Sequence, residues 1–400
     1  NWKLETGNWK LETGNWKLET GNWKLETGNW KLEPSPLTQQ RMFEPMHFFR
    51  LAVIAGLLVL VGGCNGIGYY WQSVNGQLDL WGRQRPVAEV IGDPGTDETL
   101  RKKLVRVARI RDFASRELKL PDNASYRSYA DLERPFAVWN VFAAPEFSVL
   151  PMQWCFPVAG CVVYRGYFDR ADAERFSAGL AAQGHDVYVG GVPAYSTLGY
   201  FADPLLNTFM HFPDVEIARL LFHELAHQVA YARDDTVFNE SFAVAVETAG
   251  MKRWLASTGS QKTLADFERR QRAREVFKEI VERCRQRLDT LYRSGLAPDA
   301  MRIRKVAILE QMAEEYRAFS DGAGFAGYDR WFAQRPNNAQ VASVVIYTQL
   351  VPEFLALLDR EDGDLGRFYA QVKRIANLPK DERAGALRLA APQAQARAPR

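Results

Sequence analysis

The chain has 400 residues, 47% of them hydrophobic and 25% charged, which is enough apolar material for one or two globular domains with a full core. Lysine and arginine nearly balance aspartate and glutamate, and a formal net charge of +3 provides no electrostatic case for a nucleic-acid partner; no basic stretch interleaved with aromatics supports one either. The four cysteines, Cys64, Cys155, Cys161 and Cys284, have no paired C-x-x-C spacing, which argues against a structural zinc site.

Four copies of Asn-Trp-Lys-Leu-Glu-Thr-Gly and a truncated fifth fill the first 33 residues. Trp and Leu two apart, with a Gly in every repeat, do not make a coiled-coil seam. Residues 1–41 are therefore read as a disordered low-complexity segment outside the fold. A targeting signal follows over 42–63. His47-Phe48-Phe49-Arg50 is weakly basic, and Leu51 to Val61 is an apolar run too short to span a membrane comfortably. Val61-Gly62-Gly63 before Cys64 resembles the lipobox of bacterial lipoproteins. That resemblance implies cleavage before Cys64, a lipid anchor on Cys64 and, with Asn65 next, the periplasmic face of the outer membrane. A plain signal peptide and an uncleaved anchor are the competing readings.

Residues 64–389 are expected to form one α+β, mostly helical domain. Its first lobe, 66–210, is helical up to a stop at Leu120-Pro121-Asp122-Asn123, with Leu100, Leu104, Val107 and Ile110 at helical period. Shorter β-branched and aromatic runs follow at 136–139, 161–164 and 187–189, which predict strands of a small sheet, with a helix from Asp169 to Gln183 crossing between the last two. Cys155 and Cys161 bracket a turn that suits a local disulfide in an oxidising compartment. Asp203 to Met210 reads as a short helix. The two helices carrying the metal motif occupy 214–255, the first predicted over Val215 to Ala232 and the second from about Phe238. Long charged helical stretches at about 262–293 and 298–319 predict a hairpin within a helical region 262–389. Further helices are predicted over 338–360 and 364–389, and the tail 390–400 is expected to be disordered.

The chemistry centres on His223-Glu224-Leu225-Ala226-His227. Only five histidines occur in the chain, and two of them fall four apart on a predicted helix, where both imidazoles can reach one Zn²⁺ while Glu224 faces a water as general base. Two buried histidines without a metal would each need some other polar partner. A catalytic zinc site has a third protein ligand. No histidine follows at a suitable spacing, so a carboxylate on the next helix is expected. Glu240 is the candidate, and Glu247, seven residues on and on roughly the same face, is the alternative ligand or a hydrogen-bond acceptor for a ligand histidine.

His223-Glu224-Leu225-Ala226-His227-Gln228, then Asn239-Glu240-Ser241-Phe242-Ala243 and Glu247, resemble the zinc-site helices of the gluzincin aminopeptidases, although the gap from His227 to Glu240 is shorter and no G-A-M-E-N-like strand precedes it. The chain more closely resembles a family of proteobacterial lipoproteins called putative aminopeptidases. The shared stretches include Ser125-Tyr126-Arg127-Ser128-Tyr129, Trp139-Asn140-Val141-Phe142, Trp154-Cys155-Phe156-Pro157, Val192-Pro193-Ala194-Tyr195 and Phe325-Ala326-Gly327-Tyr328-Asp329. The resemblance implies a zinc peptidase with one Zn²⁺, a peptide substrate, and a tyrosine or histidine assisting the oxyanion, for which Tyr347 is the candidate. An aminopeptidase trimming extracytoplasmic peptides is the leading expectation. An envelope endoprotease and a catalytically idle zinc-binding lipoprotein acting as an interaction module are the alternatives. Glu146 and Asp131 are the acidic groups considered for capture of a substrate amine, and Val187 to Leu198 for strand-like pairing with the peptide.

Overall fold

In the computed structural model the described residues are 64–156, 160–194, 197–258, 261–345 and 350–390. The repeats, the targeting signal, Tyr347 and the tail from 391 lie outside them, and all that follows concerns the unit Gly63–Arg400. Three helices with one short strand between the first two open it: α1 (Cys64–Gly82), β1 (Arg85–Pro86), α2 (Val87–Gly92) and α3 (Glu98–Arg116). The strands β2 (Ser128–Ala130), β3 (Val138–Pro145), β4 (Trp154–Phe156), β5 (Gly160–Val162) and β6 (Arg165–Tyr167) come next. Helix α4 (Arg170–Ala181), strands β7 (His185–Val192) and β8 (Leu205–Leu206), and the short α5 (Asn207–Met210) complete the lobe. The remainder is helical: α6 (Asp214–His227), α7 (Thr236–Thr258), α8 (Gln261–Tyr292), α9 (Pro298–Ala323), α10 (Asp329–Ala333), α11 (Asn338–Val345), α12 (Val351–Arg360), α13 (Leu365–Ala376) and α14 (Lys380–Ala390). The protein is thus mostly helical with small sheets, an α+β architecture.

Local sequence explains most of these elements. Helix α3 begins where the Asp97 carboxylate accepts from the backbone N–H groups of Thr99 and Leu100, and Leu104, Val107, Ile110 and Ala114 then turn one stripe into the core. The main sheet runs β6-β3-β7, antiparallel throughout, with β3 central and almost wholly buried; Trp139 pairs with Tyr167 on one side and Gly191 on the other. Helix α4 packs on this sheet, with Leu180 and Ala173 joining Trp139 and Val141 in a local core. Helix α9 ends at Gly324, whose φ of 58° places it in the left-handed region that glycine adopts without a Cβ clash.

The largest core lies beneath α6 and α7. Phe222 from α6, Phe238 and Phe242 from α7, Phe354 from α12 and Phe368 from α13 are all fully buried there. A second core holds α8 to α9 through Phe277, Ile280, Val281 and Leu288 against Leu309, Met312 and Tyr316.

Four expectations change. Leu205-Leu206 extends β2 in parallel, pairing with Tyr129 and Ala130, so only Asn207–Met210 of the predicted 203–210 helix is helical. Helix α6 stops at His227 rather than Ala232, because the backbone beyond it turns into i to i+3 hydrogen bonds, Gln228 to Leu225 and Val229 to Ala226. The predicted 338–360 helix is two, α11 and α12, with Pro352 in the first turn of the second. The predicted 364–389 helix is also two, divided at Pro379, which cannot continue α13.

Candidate metal centre

Helix α6 carries two stripes. Ala218, Leu221, Phe222 and Leu225 face the core, while Leu220, His223, Glu224 and His227, at i, i+3, i+4 and i+7, face a cleft of about 490 Å³. Asp214 and Glu216 in its first turn suit the positive end of the helix dipole. Helix α7 lies alongside and presents Thr236, Asn239 and Glu240 to the same cleft. Close approach of the pair needs Gly250, since a Cβ there would stand 2.7 Å from the Leu118 side chain and 2.9 Å from the Phe222 ring.

The turn between the helices is gripped from three directions. Asn239 accepts from the Ala232 N–H at 2.7 Å and donates to the Ala232 carbonyl at 2.8 Å, replacing a backbone partner with a buried side chain one residue before Glu240. Asp234 accepts from the Cys161 N–H at 2.6 Å, and Cys161 is bonded to Cys155 across the β4–β5 hairpin. Arg383 of α14 donates to the Arg233 carbonyl at 3.0 Å and pairs with Asp235 at 3.3 Å.

These constraints bring together donors far apart in the chain. One Glu240 oxygen is 3.3 Å from His223 Nε2 and the other 3.8 Å from His227 Nε2, and one donor atom from each of the three side chains falls within 4.8 Å of the others. Donors about 2.0–2.1 Å from a tetrahedral zinc ion stand about 3.3 Å from one another. The set, two imidazoles and one carboxylate, therefore fits zinc in chemistry, and His223 Nε2 already stands at the tetrahedral spacing from Glu240. Glu247 occupies the other side of His223, with Oε2 3.2 Å from Nδ1, while its second oxygen accepts from Arg219 at 3.0 Å. That contact keeps a proton on Nδ1, so that a metal would be taken by Nε2. His227 differs: its Nδ1 is buried without a hydrogen-bond partner among the described residues.

The charges are strongly perturbed. Burial disfavours the His223 cation, but its hydrogen bonds to the Glu240 and Glu247 carboxylates outweigh this and raise His223 to about 10 without a metal. Burial pushes His227 down to about 4 and lifts Glu224 to about 7. Glu240 and Glu247 move the opposite way: burial opposes them, yet the two histidines lower Glu240, and Arg219 with His223 lowers Glu247 to about 2. A divalent cation on His223 Nε2 would take the place of its proton.

Against models of protein families, residues 68–387 match the family described as "Putative aminopeptidase". The chain belongs to that family. No curated protein and no solved structure matches it. The family match covers every element that builds the site and supports a peptidase with a peptide substrate.

Other candidates fare differently. Tyr347 lies outside the described residues. Glu146 is not in the cleft lining and is engaged with Arg302 at 2.6 and 3.0 Å, while Asp131 caps the Glu133 N–H. Strand β7 is an edge of its sheet, but Asn337 donates to the Val187 carbonyl, and among the described residues of the segment only Val192, Pro193, Ala194 and Leu198 line the cleft. Two tyrosines escaped the sequence reading. Tyr164, between β5 and β6, and Tyr231, just past α6, both line the cleft, and burial together with the Glu240 carboxylate raises both phenols. No spacing rule marks them, since each is placed by the tertiary path of its loop.

Proposed function

We propose that the protein is a zinc-dependent peptidase, and that it acts as an aminopeptidase on extracytoplasmic peptides. The observation that carries this reading is the convergence of His223, His227 and Glu240 donors within 4.8 Å, with Glu224 on the same stripe of α6. A zinc ion held there supplies Lewis acidity toward the scissile carbonyl and acidifies water. Glu224, which burial disfavours as a carboxylate, takes the proton of the attacking water and returns it to the leaving amine. Glu247 holds the His223 ring in its coordinating tautomer, and Arg219 fixes Glu247. The Tyr164 and Tyr231 hydroxyls, which line the same cleft, are with Tyr347 the proposed donors to the oxyanion. Acylation at Cys64 would tether the enzyme to the periplasmic face of the outer membrane.

An endopeptidase is the second reading, and one observation favours it. Among the described residues lining the cleft, Glu224 and Glu240 are the only carboxylates, so no spare acidic group is set aside for a substrate amine. The test is hydrolysis of free-amine and N-blocked versions of the same peptides by the protein in detergent, with and without chelator. Free-amine preference that vanishes with chelator supports the aminopeptidase; equal cleavage of blocked peptides overturns it in favour of the endopeptidase. Bound zinc with no turnover on any peptide would leave only a binding module. Glu240→Ala is expected to lose zinc, whereas Glu224→Ala keeps zinc by metal analysis and loses roughly 10²–10⁴-fold in turnover.

A further inference from the structure

Helix α1 is apolar on both sides: inward, Leu80 is buried in the main core and Tyr69 packs on Phe156 and Tyr167. Toward the protein it turns Gln72, which accepts from the Phe168 N–H at 3.0 Å, Ser73, which donates to the Tyr69 carbonyl, and Gly76, where a Cβ would collide with the Phe168 ring. Toward solvent it turns Tyr70, Trp71, Val74, Leu78 and Trp81, with Trp71 67% exposed. Phe201 meets the Trp81 ring at 4.7 Å, and Tyr200 beside it is 69% exposed, so the apolar surface continues onto the loop after β7. The helix carries a single charged residue, Asp79, and Arg83 neutralises it at 2.9 Å. Isolated exposed apolar side chains are ordinary, but a contiguous row of this size marks a surface that something covers.

We infer that a lipid surface covers it: the outer face of α1, with Tyr200 and Phe201, lies in the interface of a bilayer. The chain's connectivity selects this occupant. Tyr70 follows the apolar run Leu51–Val61 by nine residues and Cys64 by six, too few to carry the face far from lipid in either tethered form, with the run kept in the membrane or with Cys64 acylated. The side chains agree, since tryptophan and tyrosine concentrate where hydrocarbon meets headgroup. No described helix is long and apolar enough to cross a membrane, so α1 would lie along the surface. The inference does not depend on the peptidase reading, but it bears on it. Tyr69 and Ser73, on the other side of the same helix, line the cleft with His223 and Glu224. One helix diameter, about 10–12 Å, would then separate lipid from the cleft wall, and the substrates within reach would be peptides held at the bilayer surface.

The test places a nitroxide at Trp71→Cys, Val74→Cys or Leu78→Cys in the full chain, reconstituted in vesicles of phosphatidylethanolamine and phosphatidylglycerol. Arg304→Cys, at an exposed site on α9, provides the aqueous reference. These positions point away from the fold, and circular dichroism of each labelled chain checks that it stays intact. At the three α1 positions the ratio of oxygen to nickel-chelate collisions is expected to be several-fold above that at Arg304→Cys. A ratio no higher than the reference overturns the proposal, because the face is then in water. Protection from both reagents also overturns it, in favour of a protein partner or a second copy of the chain.

Discussion

The α6–α7 pair and the α8–α9 hairpin are both pairs of helices packed side by side, and they treat charge in opposite ways. In the hairpin the interface is apolar, and charges stay at its margin: Arg283 and Arg287 share Glu315 at 3.0 and 2.8 Å, each partly exposed. Between α6 and α7, His223, His227, Glu240 and Glu247 are brought inside, at side-chain exposures of 8–16%. Burying ionisable groups is unfavourable unless each finds a partner, and an apolar pair of helices would be at least as stable. What the contrast teaches is that stability does not explain the α6–α7 arrangement. Perturbed groups converging on a cleft are what catalysis requires.

The contrast can be broken by substitution. Glu247→Ala strips Arg219 and His223 of a buried partner at once and is expected to lower stability by about 3 kcal/mol or more in chemical denaturation, and to weaken zinc binding about 10–100-fold without abolishing it. If Glu247→Ala removes zinc altogether, the ligand is Glu247 and not Glu240. A smaller effect is expected at the start of α6, where Asp214 pairs with Lys103 and Arg106. Burial opposes the Asp214 charge, but the two cations hold its pKa below the ordinary aspartate value. Its contribution is thus complete above about pH 4 and is lost as the pH falls through the lowered pKa. Asp214→Asn should cost about 1 kcal/mol at neutral pH, and the difference from wild type should vanish in acid melts. The smallest effect belongs to the hairpin: Arg287→Ala should change stability by no more than about 0.5 kcal/mol, and a loss of several kcal/mol would show that the hairpin relies on its charges after all.

The fold was legible wherever its cause is local. The unbroken charged periods from 262 and 298 correspond to α8 (Gln261–Tyr292) and α9 (Pro298–Ala323) within a few residues at each end, and the strand–helix–strand order around α4 follows from composition. Leu205-Leu206 was not legible as a strand, because its partner, Tyr129-Ala130, lies 76 residues upstream and two residues carry no period. In the site, the spacing names His223, Glu224 and His227, and the need for a third donor names Glu240. What makes those donors converge is Asn239 bracketing Ala232, a long-range contact hidden in a residue that reads as an ordinary helix start. Which side of α1 faces the protein was hidden for a related reason: it is decided by what packs there, here Phe168 and the β6 backbone.

The turn between α6 and α7 is held by Cys161 from one side and Arg383 from the other, residues that bracket more than two hundred positions of sequence. A chain emerging from synthesis has made both histidines and Glu240 long before it has made Arg383. Until α14 arrives, the loop that sets their spacing is held by Asn239 and by the Cys161 N–H but lacks the third of its anchors. The loop that positions the chemistry proposed for this cleft is in that way fully braced only when the polypeptide is complete, and a partly made copy would carry the motif on a loop with one brace missing.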